Sequence, residues 1–582
     1  MNKRIICLLL SVIMLLLCFA GCGKKTDEEI AEDITNEASE SAMTLSMYLL
    51  ADAPVSAEQA AKIEAAVNKI TKSKFKTQMK LTFLTEDQYY TVLEENLRLQ
   101  EENSKNYTSN KYTDETTEAE TVWNEQLGAV ELKYPTIESY QVDIFYFDSY
   151  DRFVKYNEAG YLSKLDEELS SSSKALKSYI TPSYLTYMKA AANGTYAIPT
   201  NKPIGEYTYM LLNKEALALT HNAPSDGFTS VTSESVQDLL EMVSENWSDK
   251  FVPLYSEVPT EDMITGVKYW GVDENGKLSN EFSVLGGDIN SKAYKTEGAF
   301  TPVENILDSS FVDQLKILKG YEVAKYYDDK AVTEQNKDFA VGYVKGGPEL
   351  EQVWGEKYEM VVVEKPTLDT YDLFNDMFGV STYSSNLARS MKIVTYLNTN
   401  EDFRNLILHG IEGENYELVK SGIKDINGEE YVSVRRLNND YIMDENKTGN
   451  VLLALATEDQ RAERLEYSKK QNSDATVTQS IAFLPNYNGL EPDMDKLHAV
   501  RTLSEKIFKE LMECPLDQLD ELVTAKKTEI NADENVIFTM DKSISNEDAE
   551  GEERPCSFSY VLYSWLEANK IYVPPKDDGA DA

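Results

Sequence analysis

The sequence predicts an α/β fold built on a parallel β-sheet, and three observations carry this prediction. Two apolar runs, at 44–50 and 79–84, are each followed by apolar residues at helical spacing. A third strand-like run follows at 142–147. The length of 582 residues and the hydrophobic content of 42% allow a large core divided between two or more lobes. Alternating strands and helices of this kind favour parallel pairing with right-handed crossovers.

Capping residues mark the first helix starts. Ser56 with Gln59 forms a capping-box pattern ahead of the first helix, and Thr85 with Gln88 repeats it ahead of the second. The segment 103–120 is rich in Asn, Ser, Thr, Lys and Glu, and it predicts an inserted surface loop. Three further helices are predicted, at 151–160, 387–397 and 401–409.

The first 25 residues resemble a bacterial lipoprotein signal peptide. Lys3 and Arg4 precede an apolar run from Ile5 to Ala20, and Cys22 follows it. That run is shorter than the roughly 20 residues that a membrane-spanning helix needs. The resemblance implies a signal peptide at 1–21, lipid attachment at Cys22 and a place on the outer face of the cytoplasmic membrane. The acidic segment 22–42 has almost no large apolar side chains, which is typical of a solvated tether, although a capped surface helix is the alternative.

Charge and cysteine content limit the possible partners. The formal net charge of −43 disfavours binding to nucleic acid or to anionic headgroups, so the predicted membrane contact is the lipid anchor alone. Cys514 and Cys556 remain after the signal peptide and the lipidated cysteine are set aside. Outside the cytoplasm they can form a disulfide, which would stabilise the C-terminal region by roughly 3 to 4 kcal/mol. Two unrelated thiols are the alternative.

No catalytic or metal motif is evident in the sequence. The three histidines, His221, His409 and His498, lack a metal-binding spacing, and no serine elbow, P-loop or cysteine–histidine arrangement occurs. The sequence therefore predicts a protein without catalytic residues, metal or cofactor. A secreted polysaccharide hydrolase stays an alternative, because carboxylates are abundant enough to supply an acid and base pair.

Four segments follow one another along the chain: Asp143-Ile144-Phe145-Tyr146 leading to Gly160-Tyr161-Leu162; Asn193-Gly194-Thr195-Tyr196-Ala197-Ile198-Pro199; Met210-Leu211-Leu212-Asn213-Lys214; and the 387–397 helix running into Gly410-Ile411-Glu412-Gly413. In this order they resemble the family 1 extracellular solute-binding proteins, the external receptors of ABC importers. The resemblance covers most of the span from Met43 to about Asn415.

That resemblance implies a type II periplasmic-binding-protein-like fold, with two lobes joined by crossing strands and a ligand cleft between them. Lobe 1 would comprise 43–199 and 376–416, and lobe 2 would comprise 200–365 and 430–582 with a C-terminal extension. The implied function is capture of a carbohydrate, in particular an oligosaccharide, by lobe closure. The implied protein is a monomer whose partners are the solute and the importer's permease subunits. A solute-sensing lipoprotein not coupled to import is a further alternative.

A sugar site needs carboxylates, amides or arginine for hydroxyls and aromatic rings for the flat apolar faces. The resemblance places Asp52, Asp151, Arg152 and Glu206 at sugar-contacting positions. Asp52 and Asp151 also follow predicted strands, where open α/β sheets bind ligands. A turn residue or a helix cap is the alternative for these two. The aromatic candidates that we select are Tyr207 and Trp270, for which core packing is the alternative.

Overall fold

The structure of the chain is a computed structural model. It describes residues 42–110, 120–124, 129–133, 140–220, 233–274, 276–279, 281–288, 303–425, 427–478, 480–483, 494–541, 545–547, 553–555, 557–559 and 561–562. Along these ranges, no helix combines the length and the apolarity that a membrane crossing would require.

Helices and strands alternate through much of the chain. The α-helices are α1 (Ala57–Phe75), α2 (Glu86–Asn110), α3 (Tyr150–Glu158), α4 (Asp166–Ser170), α5 (Pro182–Ala192), α6 (Lys214–Thr220), α7 (Ser233–Asn246), α8 (Phe311–Val323), α9 (Asp329–Thr333), α10 (Leu350–Trp354), α11 (Leu387–Thr399), α12 (Glu401–His409), α13 (Arg464–Asp474), α14 (Met494–Glu513), α15 (Leu519–Ala532) and α16 (Glu534–Met540). The strands are β1 (Met43–Ala51), β2 (Thr77–Thr85), β3 (Glu120–Asn124), β4 (Ala129–Lys133), β5 (Ile144–Phe147), β6 (Ala197–Pro199), β7 (Tyr207–Asn213), β8 (Phe251–Ser256), β9 (Val267–Tyr269), β10 (Gly271–Val272), β11 (Leu278–Ser279), β12 (Leu285–Asp288), β13 (Glu304–Asn305), β14 (Asp338–Gly346), β15 (Tyr358–Glu364), β16 (Thr367–Leu368), β17 (Met377–Val380), β18 (Tyr416–Lys424), β19 (Glu430–Arg436), β20 (Thr476–Val477), β21 (Ser545–Glu547) and β22 (Glu553–Pro555).

The chain forms two compact units, each built from non-contiguous segments. Unit 1 takes its residues from 1–185, 195–201 and 375–459, and unit 2 takes its residues from 186–194, 202–374 and 460–582.

A five-stranded sheet lies at the centre of unit 1, with the strand order β2-β1-β5-β17-β6. β1 is parallel to both β2 and β5, as the alternating sequence pattern predicts. β17 is antiparallel to β5 and to β6, so the sheet is mixed and not wholly parallel. As a consequence, the carboxyl ends of β1, β2, β5 and β6 share one edge with the amino end of β17.

Helix α1 covers the outer strand of this sheet. The Ser56 hydroxyl accepts a hydrogen bond from the Gln59 N–H at 3.1 Å, which confirms the predicted helix start. Further along α1, the Asn68 amide accepts from the Met79 N–H at 2.6 Å and donates to the Met79 carbonyl at 2.9 Å. The Glu64 carboxylate accepts from the Leu81 N–H at 2.9 Å. Side chains of α1 therefore satisfy the outward-facing backbone groups of β2 at these positions, as buried polar groups require.

A buried carboxylate ties β1, β5 and the approach to α11 together. Asp143 is fully buried and accepts hydrogen bonds from the Ser46 N–H at 2.8 Å, the Ser385 N–H at 2.6 Å, the Ser384 hydroxyl at 2.8 Å and the Gln141 amide at 3.1 Å. Burial raises the pKa of Asp143, and these donors oppose part of that rise. Asp143 thus joins β1, the segment before β5 and the segment before α11 through one carboxylate.

Unit 2 contains a four-stranded sheet with the order β15-β7-β14-β8. β7 is antiparallel to β14 and to β15, and only β14 and β8 are parallel. This sheet therefore departs from the parallel arrangement predicted from the N-terminal pattern. The C-terminal helices α14 and α15 belong to the same core, because Ile507, Leu511 and Leu519 are buried in one cluster with Phe311 and Leu315 of α8.

Three segment assignments differ from the sequence analysis. We assigned 186–194 to the first lobe, but this segment groups with unit 2. We assigned 430–582 to the second lobe, but 430–459 groups with unit 1. The physical reason is that β18 pairs with β19, and the buried Arg404 guanidinium donates to the carbonyls of Asn450 at 3.1 Å and Glu445 at 2.6 Å. The first part of the predicted 103–120 loop is helical, since α2 continues to Asn110.

Candidate functional site

Acidic residues flank three strands at one edge of the unit 1 sheet. Asp52 comes directly after β1, and Asp148 comes directly after β5. Asp376 precedes β17, which runs antiparallel to β5, so it lies at the same edge. Together with Arg152 and Lys447, which pair with two of them, we call these residues the carboxyl-edge cluster. The carboxyl ends of parallel strands are where open α/β sheets bind ligands.

A tyrosine hydroxyl separates β1 and β5 just before they reach this edge. The ladder between the two strands is registered at two pairs, which end with Tyr48 opposite Phe145. The buried Tyr89 hydroxyl accepts from the Tyr146 N–H at 3.0 Å, and it lies 2.9 Å from the Tyr146 carbonyl and 3.2 Å from the Tyr48 carbonyl. Tyr89 thus hydrogen-bonds to backbone groups of Tyr48 and Tyr146 at and beyond the last pair of residues at which β1 and β5 are registered. It also fixes the start of α2, and with it the position of Tyr90.

Arg152 is held between an acid and an aromatic ring. It lies in the first turn of α3, and its guanidinium donates to Asp148 Oδ1 at 2.7 Å. The guanidinium carbon is 3.4 Å from the centroid of the Tyr90 ring, a cation–π geometry. The Arg152 and Asp148 side chains are 33% and 30% exposed, so a solute can reach both. Burial, together with the nearby Asp148, raises the pKa of Tyr90 and keeps that phenol neutral.

A second tyrosine–acid contact lies beside this pair. The fully buried Tyr146 donates its hydroxyl proton to Asp376 Oδ1, and burial reinforced by Asp376 raises the pKa of Tyr146. The Asp376 carbonyl accepts from the Thr200 N–H at 2.9 Å, which links the ends of β17 and β6. Asp376 has φ 54°, in the left-handed region that residues other than Gly, Asn and Asp seldom adopt. The Tyr146 hydroxyl therefore holds the side chain of Asp376, and the Thr200 N–H holds its backbone.

Asp52 is fixed by a loop that lies beyond the span covered by the family resemblance. The Lys447 ammonium contacts Asp52 Oδ1 at 2.6 Å, and the Asp52 N–H donates to the Ile442 carbonyl at 3.2 Å. Burial lowers the pKa of Lys447, but the hydrogen bond and the charge of Asp52, together with the charges of Asp444 and Glu86, outweigh it, and the net pKa is raised. The two side chains are 23% and 32% exposed. Three carboxylates and two cations thus give the cluster a formal charge of −1, which suits a neutral polar solute.

The sequence analysis identified part of this cluster. Asp52 and Arg152 lie in it, whereas Asp151, an exposed residue of the first turn of α3, is not one of its members. Asp148, Asp376 and Lys447 were not identified. The position of Asp148 directly after an apolar strand was a usable signal, but the other two depend on contacts distant in sequence.

Glu206 and Tyr207 lie in unit 2, on the segment that leads into β7. Glu206 is exposed, and the buried Tyr207 donates its hydroxyl proton to Asp474 at 2.7 Å. The end of α13 holds this segment, because Gln471 donates to the Ile204 carbonyl at 2.9 Å. Asn472 strengthens the attachment by accepting from the Ile204 N–H at 2.8 Å. These amides position Glu206, and the sequence pattern did not reveal them.

Trp270, also in unit 2, is a core residue in this structure. It is 2% exposed, with the Phe558 ring centroid at 6.4 Å and the Lys268 ammonium 5.4 Å from its own ring. The indole therefore presents no ring face to a solute, and we do not carry it into the proposed site.

The remaining predicted sites fall wholly or partly outside the described residues. Cys22, the 1–21 signal and the tether up to residue 41 lie there, as does Cys556. Cys514 is partly exposed, and its thiol lies 3.4 Å from the Pro515 carbonyl. Because Cys556 lies outside the described residues, the disulfide stays a prediction. Within the described ranges, no group of three or more His, Cys, Asp or Glu side chains is arranged to hold a metal ion.

Comparisons with known proteins identify the fold. No protein-family model matches this chain, and neither does any curated protein sequence. Among solved structures, the N-glycan transport solute-binding protein NgtS of Streptococcus pneumoniae is similar at 16% identity and a TM-score of 0.51, covering 90% of this chain and 99% of NgtS. An extracellular solute-binding protein of Bifidobacterium longum subsp. infantis gives 13% identity, coverage of 91% and 99%, and a TM-score of 0.44. A family 1 extracellular solute-binding protein from Alicyclobacillus acidocaldarius gives 11% identity and a TM-score of 0.38, with coverage of 84% of this chain and 99% of its own. The α/β fold of this chain is that of the extracellular solute-binding proteins.

Proposed function

We propose that this protein is the solute-binding lipoprotein of an ABC importer and that it captures a carbohydrate, in particular an oligosaccharide. The observation that carries the proposal is the match to the NgtS fold over 90% of the chain. The lipoprotein-like start adds support, and on that basis the proposal includes lipidation at Cys22 and a place on the outer face of the cytoplasmic membrane. Delivery to permease subunits, a monomeric state and the absence of catalysis belong to the same proposal.

The carboxyl-edge cluster has the chemistry that a sugar needs. Asp52 and Asp148 present carboxylate oxygens that accept from hydroxyls, while Arg152 and Lys447 present N–H donors. Each acid is already paired with a cation, at 2.6 Å and 2.7 Å, so the groups are oriented before a solute arrives. A preoriented site loses less conformational entropy on binding. Hydrogen bonds to charged partners each contribute about 1.5 to 3 kcal/mol.

Unit 2 contributes to the proposal through Glu206. This carboxylate is exposed, and the α13 amides fix the segment that carries it. We propose that solute binding draws the two units together by a hinge motion, as the family resemblance implies. A smaller radius of gyration by X-ray scattering on addition of ligand supports closure. An unchanged radius at saturating ligand contradicts it.

Calorimetric titration of the purified chain against a glycan panel tests the function. Because NgtS is an N-glycan transport protein, the panel starts with N-glycan fragments that contain mannose and N-acetylglucosamine, and it includes maltodextrins and human milk oligosaccharides. Saturable binding without release of reducing sugar supports a receptor. Turnover of any glycan would instead favour the hydrolase alternative. Genomic neighbours that encode two permeases, with loss of uptake when they are deleted, would distinguish an import receptor from a sensor.

A further inference from the structure

A strongly acidic chain carries a basic cluster in the second half of α1 and the start of β2. Between residues 65 and 85 there are five lysines and no acidic residue, although the whole chain has 100 acidic and 57 basic residues. The lysines are Lys69, Lys72, Lys74, Lys76 and Lys80. Lys74 lies over the Tyr396 ring at 5.2 Å. For Lys69 and Lys72, no carboxylate of the described residues lies within ion-pair distance.

The cluster borders an open groove of about 620 Å³ along the outer side of α1. Lys69 and Lys72 line it, together with Asn68 and with Gln78 of β2. Glu64 also lines the groove, but its carboxylate is held by the Leu81 N–H at 2.9 Å. The cationic groups therefore dominate the part of the groove towards the end of α1. An extended acidic peptide matches this combination of open shape and positive charge.

The acidic segment of the same chain enters unit 1 beside this cluster. Met43 is paired with Thr77, and its N–H donates to the Lys76 carbonyl at 3.2 Å. Glu40 is three residues earlier, so its Cα lies within roughly 11 Å of that of Met43 at full extension. Glu37 lies within roughly 21 Å by the same reckoning. The connection alone confines negative charge to the neighbourhood of the lysines.

We propose that the acidic segment 27–40 binds the α1 groove, with its carboxylates on Lys69 and Lys72. Seven acidic side chains lie in this segment: Asp27, Glu28, Glu29, Glu32, Asp33, Glu37 and Glu40. The attraction is intramolecular, and the short connection to Met43 gives it a high effective concentration. Docking shortens the free tether and fixes which face of unit 1 is turned towards the membrane anchor. The contact depends on charge alone, so it holds whether or not Cys22 carries lipid.

Zero-length carbodiimide cross-linking of the full chain in neutral detergent, read by peptide mass spectrometry, tests this contact. We expect peptides from 27–40 to couple to Lys69 and Lys72 in several-fold greater yield than to Lys174 and Lys177. Those control lysines are exposed and lie near Tyr179, whose carbonyl accepts from Asn201 after β6, at the opposite edge of the unit 1 sheet. In about 1 M NaCl, where the Debye length is about 3 Å, the preference should disappear. Equal coupling to both pairs, or a preference that salt does not change, would overturn the proposal.

Paired variants separate this contact from a general charge effect. Lys69→Gln removes one charge but leaves the Lys72 amine available, so it should lower coupling to Lys72 several-fold, whereas Lys174→Gln with Lys177→Gln should leave that coupling unchanged. Repeating the reaction on neutral phosphatidylcholine vesicles and on phosphatidylglycerol vesicles tests the other anionic occupant. Cross-links retained on both support the acidic segment. Their loss on phosphatidylglycerol alone would assign the groove to lipid headgroups and overturn the proposal.

Discussion

Replacing Arg152 with Met removes the guanidinium and keeps much of the side-chain volume. The ion pair with Asp148 is about one-third exposed, so its loss costs about 0.2 to 1 kcal/mol of stability, and loss of the cation–π contact with Tyr90 costs about 1 kcal/mol. Affinity is a separate quantity. If Arg152 donates to a sugar hydroxyl, the free energy of glycan binding weakens by about 1.5 to 3 kcal/mol, which raises the Kd about 10-fold to 150-fold. Calorimetry with a confirmed glycan measures the affinity, and hydrogen exchange of α3 measures the local stability.

Arg98→Met is the matched control for this experiment. Arg98 also belongs to unit 1, and it pairs with Glu95 at 2.7 Å and Glu102 at 2.5 Å on the exposed side of α2. Loss of Arg98 should change the Kd less than about twofold, because exposed ion pairs are screened by solvent and Arg98 is not part of the proposed site. If the two variants bind the glycan equally well, Arg152 does not contact the solute, and the carboxyl-edge site is wrong.

Three other substitutions test the surrounding structure. Asp143→Asn should destabilise unit 1 by about 1 to 3 kcal/mol, because the new amide N–H would face a backbone N–H donor. Because burial raises the pKa of Asp143, the wild type loses stability as pH rises, so the difference in stability between the two proteins should become smaller. Hydrogen exchange of β5 measures this difference. Gln471→Ala should weaken glycan affinity with little change in overall stability, because the segment bearing Glu206 loses an anchor; titration that shows unchanged affinity contradicts this role. Burial and the nearby Asp369 raise the pKa of Asp372 to about 6. The wild type should therefore lose local stability as pH rises through 6, whereas Asp372→Asn should not. If the stability of 369–374 measured by hydrogen exchange depends on pH in the same way in the two proteins, this assignment is refuted.

Local sequence signals were sufficient for individual elements of unit 1. The capping pattern at Ser56 and Gln59 predicted the start of α1, and the apolar run at 142–147 predicted β5. The antiparallel insertion of β17 between β5 and β6 could not be predicted in this way, because it joins segments more than 170 residues apart in the chain. Strand direction within a sheet depends on such distant pairing.

The candidate site shows the same division between local and distant information. Asp52 and Arg152 were predicted from the family resemblance, and Asp52 also because it follows a strand that the sequence pattern locates. Lys447 was not, since it reaches Asp52 from a loop almost 400 residues later. Trp270 was selected for its residue type alone, and its burial is decided by neighbours such as Phe558 that no local pattern identifies.

The way α1 covers the outer strand of the unit 1 sheet has a consequence for self-association. An edge strand with unpaired backbone groups is a template on which a second chain can add a strand. Asn68 takes both backbone groups of Met79, and Glu64 takes the N–H of Leu81, so a neighbouring copy finds no partner there. Two polar side chains of one helix thereby close these positions of β2 to strand addition by a second copy.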